Sequence, residues 1–331
     1  MGTAPCLIPS PRRSALAALC FAAVSVTTAA PAGHELDALW VEPIDLETRD
    51  LFYGPGGRAG VPPAGVLYRF ESEDTKGHSG GYEVEDPSDR EWKVKIGDEV
   101  SSEIAVSRIL WAIGFHQPVL HYVPAWRMKG GPKGGPKGGP KGGPKGGPKA
   151  DPPPGRFRLE SDHEKDGGWS WEDNPFADSR AFRGLVAVNL LLNNWDLEPD
   201  NNRIYRMKKG SAGPKRRYVV QDLGASLAKT RWPVGGRNDI EGFESQGFVK
   251  RASGDSLDFD YHGPHQELVK KLAASDVIWA CRLLARLSDA QLDDALRAAG
   301  YREDIRRRYA SKIRQKIAEG LALDGNPQGT R

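Results

Sequence analysis

Apolar and polar positions alternate in three stretches of the first half of the chain: "GVLYRFES" (65–72), "GGYEVED" (80–86) and "REWKVKIG" (90–97). Side chains two apart share a face of a strand, so each stretch reads as a half-buried β-strand. In the third, Trp92 and Val94 fall on one face, Lys93 and Lys95 on the other. The period then changes. "DEVSSEIAVSRILWAIG" (98–114) sets Ile104, Ile109, Leu110 and Ile113 at helical spacing and ends on Gly114, suited to a helix C-terminus. Two more strand-like pieces follow, "PVLHYVPAW" (118–126) and "GRFRLES" (155–161).

The second half is mainly helical. "SRAFRGLVAVNLLLNNW" (179–195) predicts one apolar helix, and "RRYVVQDLGASL" (216–227) a short strand running into a polar turn. Ser-Asp pairs at 275–276 and 288–289 offer N-caps to amphipathic helices, and a third, "REDIRRRYASKIRQKIAEGLAL" (302–323), follows them. The pattern predicts an α+β fold of two lobes, a small β-rich lobe with one helix over 33–161 and a mainly helical lobe over 162–325, ending in a tail at 326–331.

Composition adjusts this picture in three places. "GGPK" runs five times from Gly130 to Lys149. Gly and Pro at that density cannot pack a core, so the run predicts a solvated insert, an overgrown hairpin loop between the strands that flank it. Residues 1–32 resemble a secretory signal: Pro11-Arg12-Arg13, then the apolar "ALAALCFAAVSV" (15–26), then small residues at Ala30 and Ala32 before Gly33. Periplasmic or extracellular export is the expectation, although a mis-chosen start codon produces the same layout. No other segment is long and apolar enough to cross a bilayer. Of the three cysteines, Cys6 and Cys20 fall in that leader, leaving Cys281 on an apolar helical face as a buried thiol.

The whole chain is 331 residues, 38% hydrophobic and 27% charged, with a net charge of +3 to which the insert contributes five lysines. No basic stripe argues for a nucleic-acid partner.

Candidate chemistry centres on "NLLLNNWDLEPDNNRIY" (189–205), where an apolar run ends in acids and amides. Asp196 is followed five residues later by Asn201, with Pro199 between. A carboxylate that takes a hydroxyl proton and a carboxamide that turns back to a cation are spaced this way in phosphoryl-transfer loops. Asp, Pro and Asn are equally at home in a surface turn. Residues 218–224, "YVVQDLG", end a second strand on Asp222. The intervening hairpin would set Asp222 beside Asp196 as an anionic metal ligand; alternatively it is a turn acid. Lys95 on a strand and Glu103 on the next helix form a candidate phosphate-holding pair, with Lys93 and Glu99 as rivals and a pair of solvated charges as the plain alternative. "DTKGHSGGYEV" (74–84) is a glycine-rich hairpin whose Gly77, Gly80 and Gly81 would permit close backbone approach to phosphates, with Ser79 and Lys76 nearby.

The order strand-Lys95, helix-Glu103, "NNWDLEPDNNRIY", "VVQDLG" resembles the atypical kinase-like superfamily, with local similarity to spore-coat CotH kinases, HipA-type kinases and secreted Golgi-type kinases. The resemblance spans roughly residues 65 to 230. It implies ATP, magnesium or manganese, and transfer of the γ-phosphoryl group to a hydroxyl acceptor that is a protein, lipid or saccharide. In its terms Asp196, Lys95 and Glu103 are catalytic, Lys95, Gly77, Gly80 and Gly81 hold the nucleotide, and Asn201 and Asp222 bind the metal. The sequence departs from ordinary protein kinases: no His-Arg pair precedes Asp196, no G-x-G-x-x-G precedes Lys95, and no Ala-Pro-Glu follows Asp222.

Other features weigh less. Trp169 and Trp171 in "GGWSWEDNPF" read as a packing plug or substrate rim, or as a sugar platform. Arg231, Arg237 and Asp239 occupy the place of an acceptor loop. His262 and His265 have loose metal spacing without a carboxylate or Cys nearby, so a surface loop is expected. Two rival functions remain: a nucleotide-binding pseudokinase scaffold, and a secreted structural or carbohydrate-contacting protein suggested by the tryptophans and the insert.

Overall fold

The computed structural model describes residues 1–2, 33–74, 79–131, 151–160, 163–231, 235–253 and 256–325. Residues 3–32 of the leader, nearly all of the GGPK run, Lys76, Gly77 and the tail lie outside the described residues. After a short α1 (Gly33–Leu36), strands β1 (Leu67–Asp74), β2 (Gly81–Glu85) and β3 (Glu91–Ile96) lead into α2 (Val100–Ala112). Strands β4 (Leu120–Val123), β5 (Arg127–Lys129) and β6 (Gly155–Leu159) complete a six-stranded sheet of order β4-β6-β3-β2-β1-β5.

The two strands expected to flank the GGPK run, β4 and β6, do pair antiparallel. They are not a simple hairpin, however. After β4 the chain crosses to the opposite edge of the sheet and adds β5 parallel to β1. Trp126 makes that crossing possible: its ring is buried with Tyr68, Tyr82 and Phe157, and its indole N–H donates to the Pro153 carbonyl at 2.9 Å. Only this face of the sheet has its own core, drawn from Tyr68, Tyr82, Val84, Trp92, Val94, Ile96, Trp126 and Phe157. The alternation in β2 and β3 is what places those residues together.

The other elements share a larger core. A three-stranded sheet of order β7-β8-β9 comprises β7 (His163–Lys165), β8 (Asn202–Met207) and β9 (Arg216–Val220). The helices are α3 (Arg180–Leu191), the short α4 (Ile240–Glu244) and α5 (Gln266–Val269), then α6 (Ala274–Ala285), α7 (Asp289–Ala298) and α8 (Glu303–Leu321), with the hairpin β10 (Val249–Ser253) and β11 (Ser256–Phe259) after α4. Ser288 caps α7, accepting from the Gln291 N–H at 3.1 Å. The cap of α6 differs from expectation: the helix begins one residue before Ser275, and Asp276 reaches back to the Ala273 N–H at 3.1 Å. Cys281 is buried and unpaired, as its apolar face predicts.

Residues 37–60 show no periodicity in sequence, yet they buckle α2 to α7. Leu39, Leu46 and Leu51 are buried, and the Gln291 amide donates to the carbonyls of Leu46 (2.8 Å) and Arg49 (3.1 Å). Among the thirteen residues of α2, only Ser101 and Trp111 are even partly exposed. Helices hydrophobic on one face usually keep a wet one; α2 is enclosed by the sheet, α7 and the turn after Asp222. No helix among the described residues is long and apolar enough to cross a membrane.

Candidate functional site

β8 and β9 pair so that Asn202 stands opposite Val220. Their free ends therefore hold the loop carrying Asp196 and Asn201 beside the turn carrying Asp222. The Gln221 N–H donates to the Asn201 carbonyl at 3.0 Å, which fastens the two segments together. Asp222 itself takes a left-handed conformation, φ 55°, ψ 47°. That backbone, uncommon outside glycine, turns the chain sharply and leaves the carboxylate about two-fifths exposed. Asn201 donates its amide nitrogen to the Asp196 carbonyl at 3.1 Å, so its carboxamide oxygen is the atom available to a cation.

From the other end of the chain, Lys95 points into the same cleft. Its ammonium contacts Glu99 (3.2 Å), Glu103 (3.1 Å) and the carboxylate of Asp222. Lys93 instead pairs with Glu83 (3.1 Å) and Asp74 (3.8 Å) on the strands beside it. The pairing of Lys95 with Glu103 is as expected, but Glu99 does not point away. Four residues apart, the two glutamates lie on one helical face and both reach the lysine. Burial disfavours the Lys95 ammonium, yet Glu103, Asp222 and Glu99 outweigh it and raise its pKa. Burial likewise opposes ionisation of Glu99, but Lys95, Ser79 and Arg237 prevail and hold it at about 2.

Glu99, offered in sequence only as the rival of Glu103, is a junction in its own right. It accepts from the Ser79 hydroxyl at 2.8 Å, and Arg237 Nε reaches its other oxygen at 2.6 Å while stacking 4.9 Å over Trp195. Arg237, expected to face an acceptor, is turned inward. Ser102 donates to the Gly224 carbonyl at 2.7 Å, and a Cβ on Gly224 would collide with Glu99, so the turn after Asp222 seats directly on α2. Of the predicted glycines, Gly80 and Gly81 line the cleft and Gly77 lies outside the described residues. Gly81 has a packing reason as well: it pairs with Lys95 in register, where a Cβ would strike the Val94 carbonyl oxygen.

Asp196 is half-buried and is not among the residues that line the cleft holding Lys95, Glu103, Asn201 and Asp222. Burial first, then Glu198 and Asp222, raise its pKa to about 6, against the amide of Asn201. Its loop is held from beneath. Lys316 is fully buried and donates to the Leu191 carbonyl (3.1 Å) and Asn193 Oδ1 (2.6 Å), while Asn193 donates to the Ala228 carbonyl at 2.7 Å. His265 is not a surface residue: Nε2 lies 2.6 Å from the Leu197 carbonyl and Nδ1 3.0 Å from Glu172. His262 is exposed and 3.5 Å from Asp260. Trp169 and Trp171 are buried against each other and Phe182, ring centroids 5.1 Å and 6.1–6.4 Å apart, so neither offers a face to a sugar.

A cleft of about 730 Å³ opens on Lys95, Glu103, Asn201 and Asp222. Among the described residues no three His, Cys, Asp or Glu side chains converge as a metal cage. Asp222 and Asn201 supply two hard oxygen donors, a set that suits magnesium or manganese completed by water and phosphate oxygens.

No family model and no curated protein matches the chain. Among solved structures it is similar to the crystal structure of a Helicobacter pylori proinflammatory kinase, CtkA, at 10% identity and a TM-score of 0.44, covering 78% of this chain and 94% of that one. A likeness of this size carries no argument about fold or role. The chain mixes β-sheet and helices, and the site residues stand on their geometry alone.

Proposed function

We propose that the chain is a two-lobed, kinase-like phosphotransferase that moves the γ-phosphoryl group of ATP to a hydroxyl acceptor. The observation that supports this best is the contact of Lys95 with Asp222, 127 residues apart, in a cleft that also holds Glu103 and Asn201. A set of surface turns would have no reason to converge. In this reading the sheet over 33–161 forms one lobe and the helices over 162–325 the other.

Lys95 holds the donor phosphates, fixed by Glu103 and Glu99. Asn201 and Asp222 hold the divalent ion, which when bound neutralises charge on the phosphates. The acceptor oxygen attacks the γ-phosphorus; that O–P bond forms as the bond to the bridging oxygen breaks, ADP leaves, and the acceptor proton passes to Asp196. A carboxylate with a pKa near 6 is a stronger base than an ordinary aspartate and is still ionised at neutral pH. Asp222 pairs with the same lysine that would meet the donor phosphates.

Melting curves with ATP and Mg²⁺ or Mn²⁺ test the reading. Asp222→Ala should remove most of the metal-dependent rise in Tm. Asp196→Ala should keep it and lose ADP release. Equal loss of binding in both variants would refute the division of roles, and stabilisation without turnover in the unaltered protein would make it a pseudokinase. Export of the protein belongs to the same proposal, and the mature N-terminus determined by mass spectrometry tests it.

A further inference from the structure

The part of the cleft beyond Lys95 is unlike a base-binding slot. Proteins hold flat organic rings between apolar or aromatic walls. Here Val94 is the sole apolar residue among the described residues that line the cleft, and its side chain belongs to the core on the other face of the sheet. Cations stand in place of such walls. β3 and β6 pair with Lys95 opposite Arg156 and Lys93 opposite Arg158. Residues two apart share a face, so these four form a square over the cleft. Like charges directly opposite destabilise a strand pair, and a square of them calls for compensation.

Carboxylates supply part of it. Glu103 serves both Lys95 and Arg156, the latter at 3.3 Å; Glu83 and Asp74 face Lys93; Glu160 faces Arg158; Glu73 stands at the rim. The compensation is incomplete at two points. Arg156 is more than nine-tenths buried, and its Nη1 has no hydrogen-bond partner. Lys165, at the outer end of the square, has its pKa lowered by burial and by Lys93, Arg158 and Arg203, which together outweigh Glu160.

We propose that this square is a second anion subsite and that the cleft binds its donor as a phosphate chain, so that linear polyphosphate is a ligand in its own right and the nucleobase adds little. The proposal rests on Lys95 as the first phosphate site. Arg156 and Arg158 present forked guanidinium groups that match phosphate oxygens, with Lys93 and Lys165 as point charges at the open end.

The test is a set of titrations, with magnesium in excess, of inorganic tripolyphosphate, hexapolyphosphate, ATP and adenosine, read by calorimetry. Tripolyphosphate should bind within about threefold of ATP, adenosine should not compete, and hexapolyphosphate should bind roughly tenfold tighter than tripolyphosphate. Arg158→Gln should remove that chain-length gain while leaving tripolyphosphate unchanged, which a merely structural role would not do. If R158Q does not fold, Lys165→Gln, at the half-exposed end of the square, carries the same comparison. ATP binding more than tenfold tighter than tripolyphosphate, with adenosine competing, would overturn this inference and leave the phosphotransferase reading intact. Absence of a chain-length gain would also overturn it. Binding of none of the phosphate compounds would overturn both.

Discussion

The pair Glu103–Arg156 gives the most demanding stability prediction. Both side chains are almost wholly buried, and each guanidinium or carboxylate atom removed leaves an opposite charge behind. Breaking a buried pair from one side typically costs about 3–5 kcal/mol. Lys95 retains Glu99 and Asp222 when Glu103 is lost, so the damage falls mainly on Arg156, whose one ion-pair partner among the described residues is Glu103. Glu103→Gln should therefore cost about 3 kcal/mol, the low end of that range. Arg156→Gln should cost less, about 2 kcal/mol, because Glu103 keeps Lys95 at 3.1 Å. The double variant leaves neither charge unpaired, so it should cost about 3 kcal/mol, roughly 2 less than the sum of the singles. Urea unfolding of the four proteins measures each value. Additivity within about 0.5 kcal/mol would mean that the two groups do not interact and that the buried network is drawn wrongly.

Asp196→Asn should abolish turnover yet raise stability at pH 7.5 by on the order of 1–2 kcal/mol, discounted for partial exposure. The folded pKa is raised to about 6, so ionisation opposes folding above that value; the gain should vanish below the ordinary aspartate range, where both states are protonated. Denaturation at pH 3.5 and 7.5 checks the sign. In the unaltered protein, log kcat/KM should fall with unit slope below about pH 6, a pH profile that Asp196→Glu would displace. His265→Ala should lower kcat about tenfold with donor KM unchanged, since it frees the Leu197 carbonyl beside the base; a lower Tm with unchanged kcat would mark it as packing only.

Much of this was legible in sequence because it depends on period. Alternation located β2 and β3 to within a residue, and it put Lys95 on the cleft face because Trp92 and Val94 belong to the core. The hairpin between Asp196 and Asp222 followed from two short apolar runs. Glu99 and Glu103 could not be separated: at four residues apart they share a face, and the structure uses both. Arg156 was invisible because an arginine in an alternating strand reads as a solvent-side charge. Strand β5 has three residues and pairs in parallel with a distant partner, leaving no periodic trace. Residues 37–60 bury three leucines without any repeat, so only tertiary contact reveals them. His265 was misread because its partners, Leu197 and Glu172, are remote in sequence.

A helix packed on every side is also a helix with nowhere to go. To swing α2 outward would expose eleven buried positions and tear Ser102 from Gly224 and Arg49 from the Trp111 carbonyl. Enzymes that are throttled by moving such a helix need a cheap outward state, and this fold does not provide one. The pairing of Lys95 with Glu99 and Glu103 is assembled once, when the chain folds. Under the proposed function, control over such a protein falls to the supply of donor, metal and acceptor.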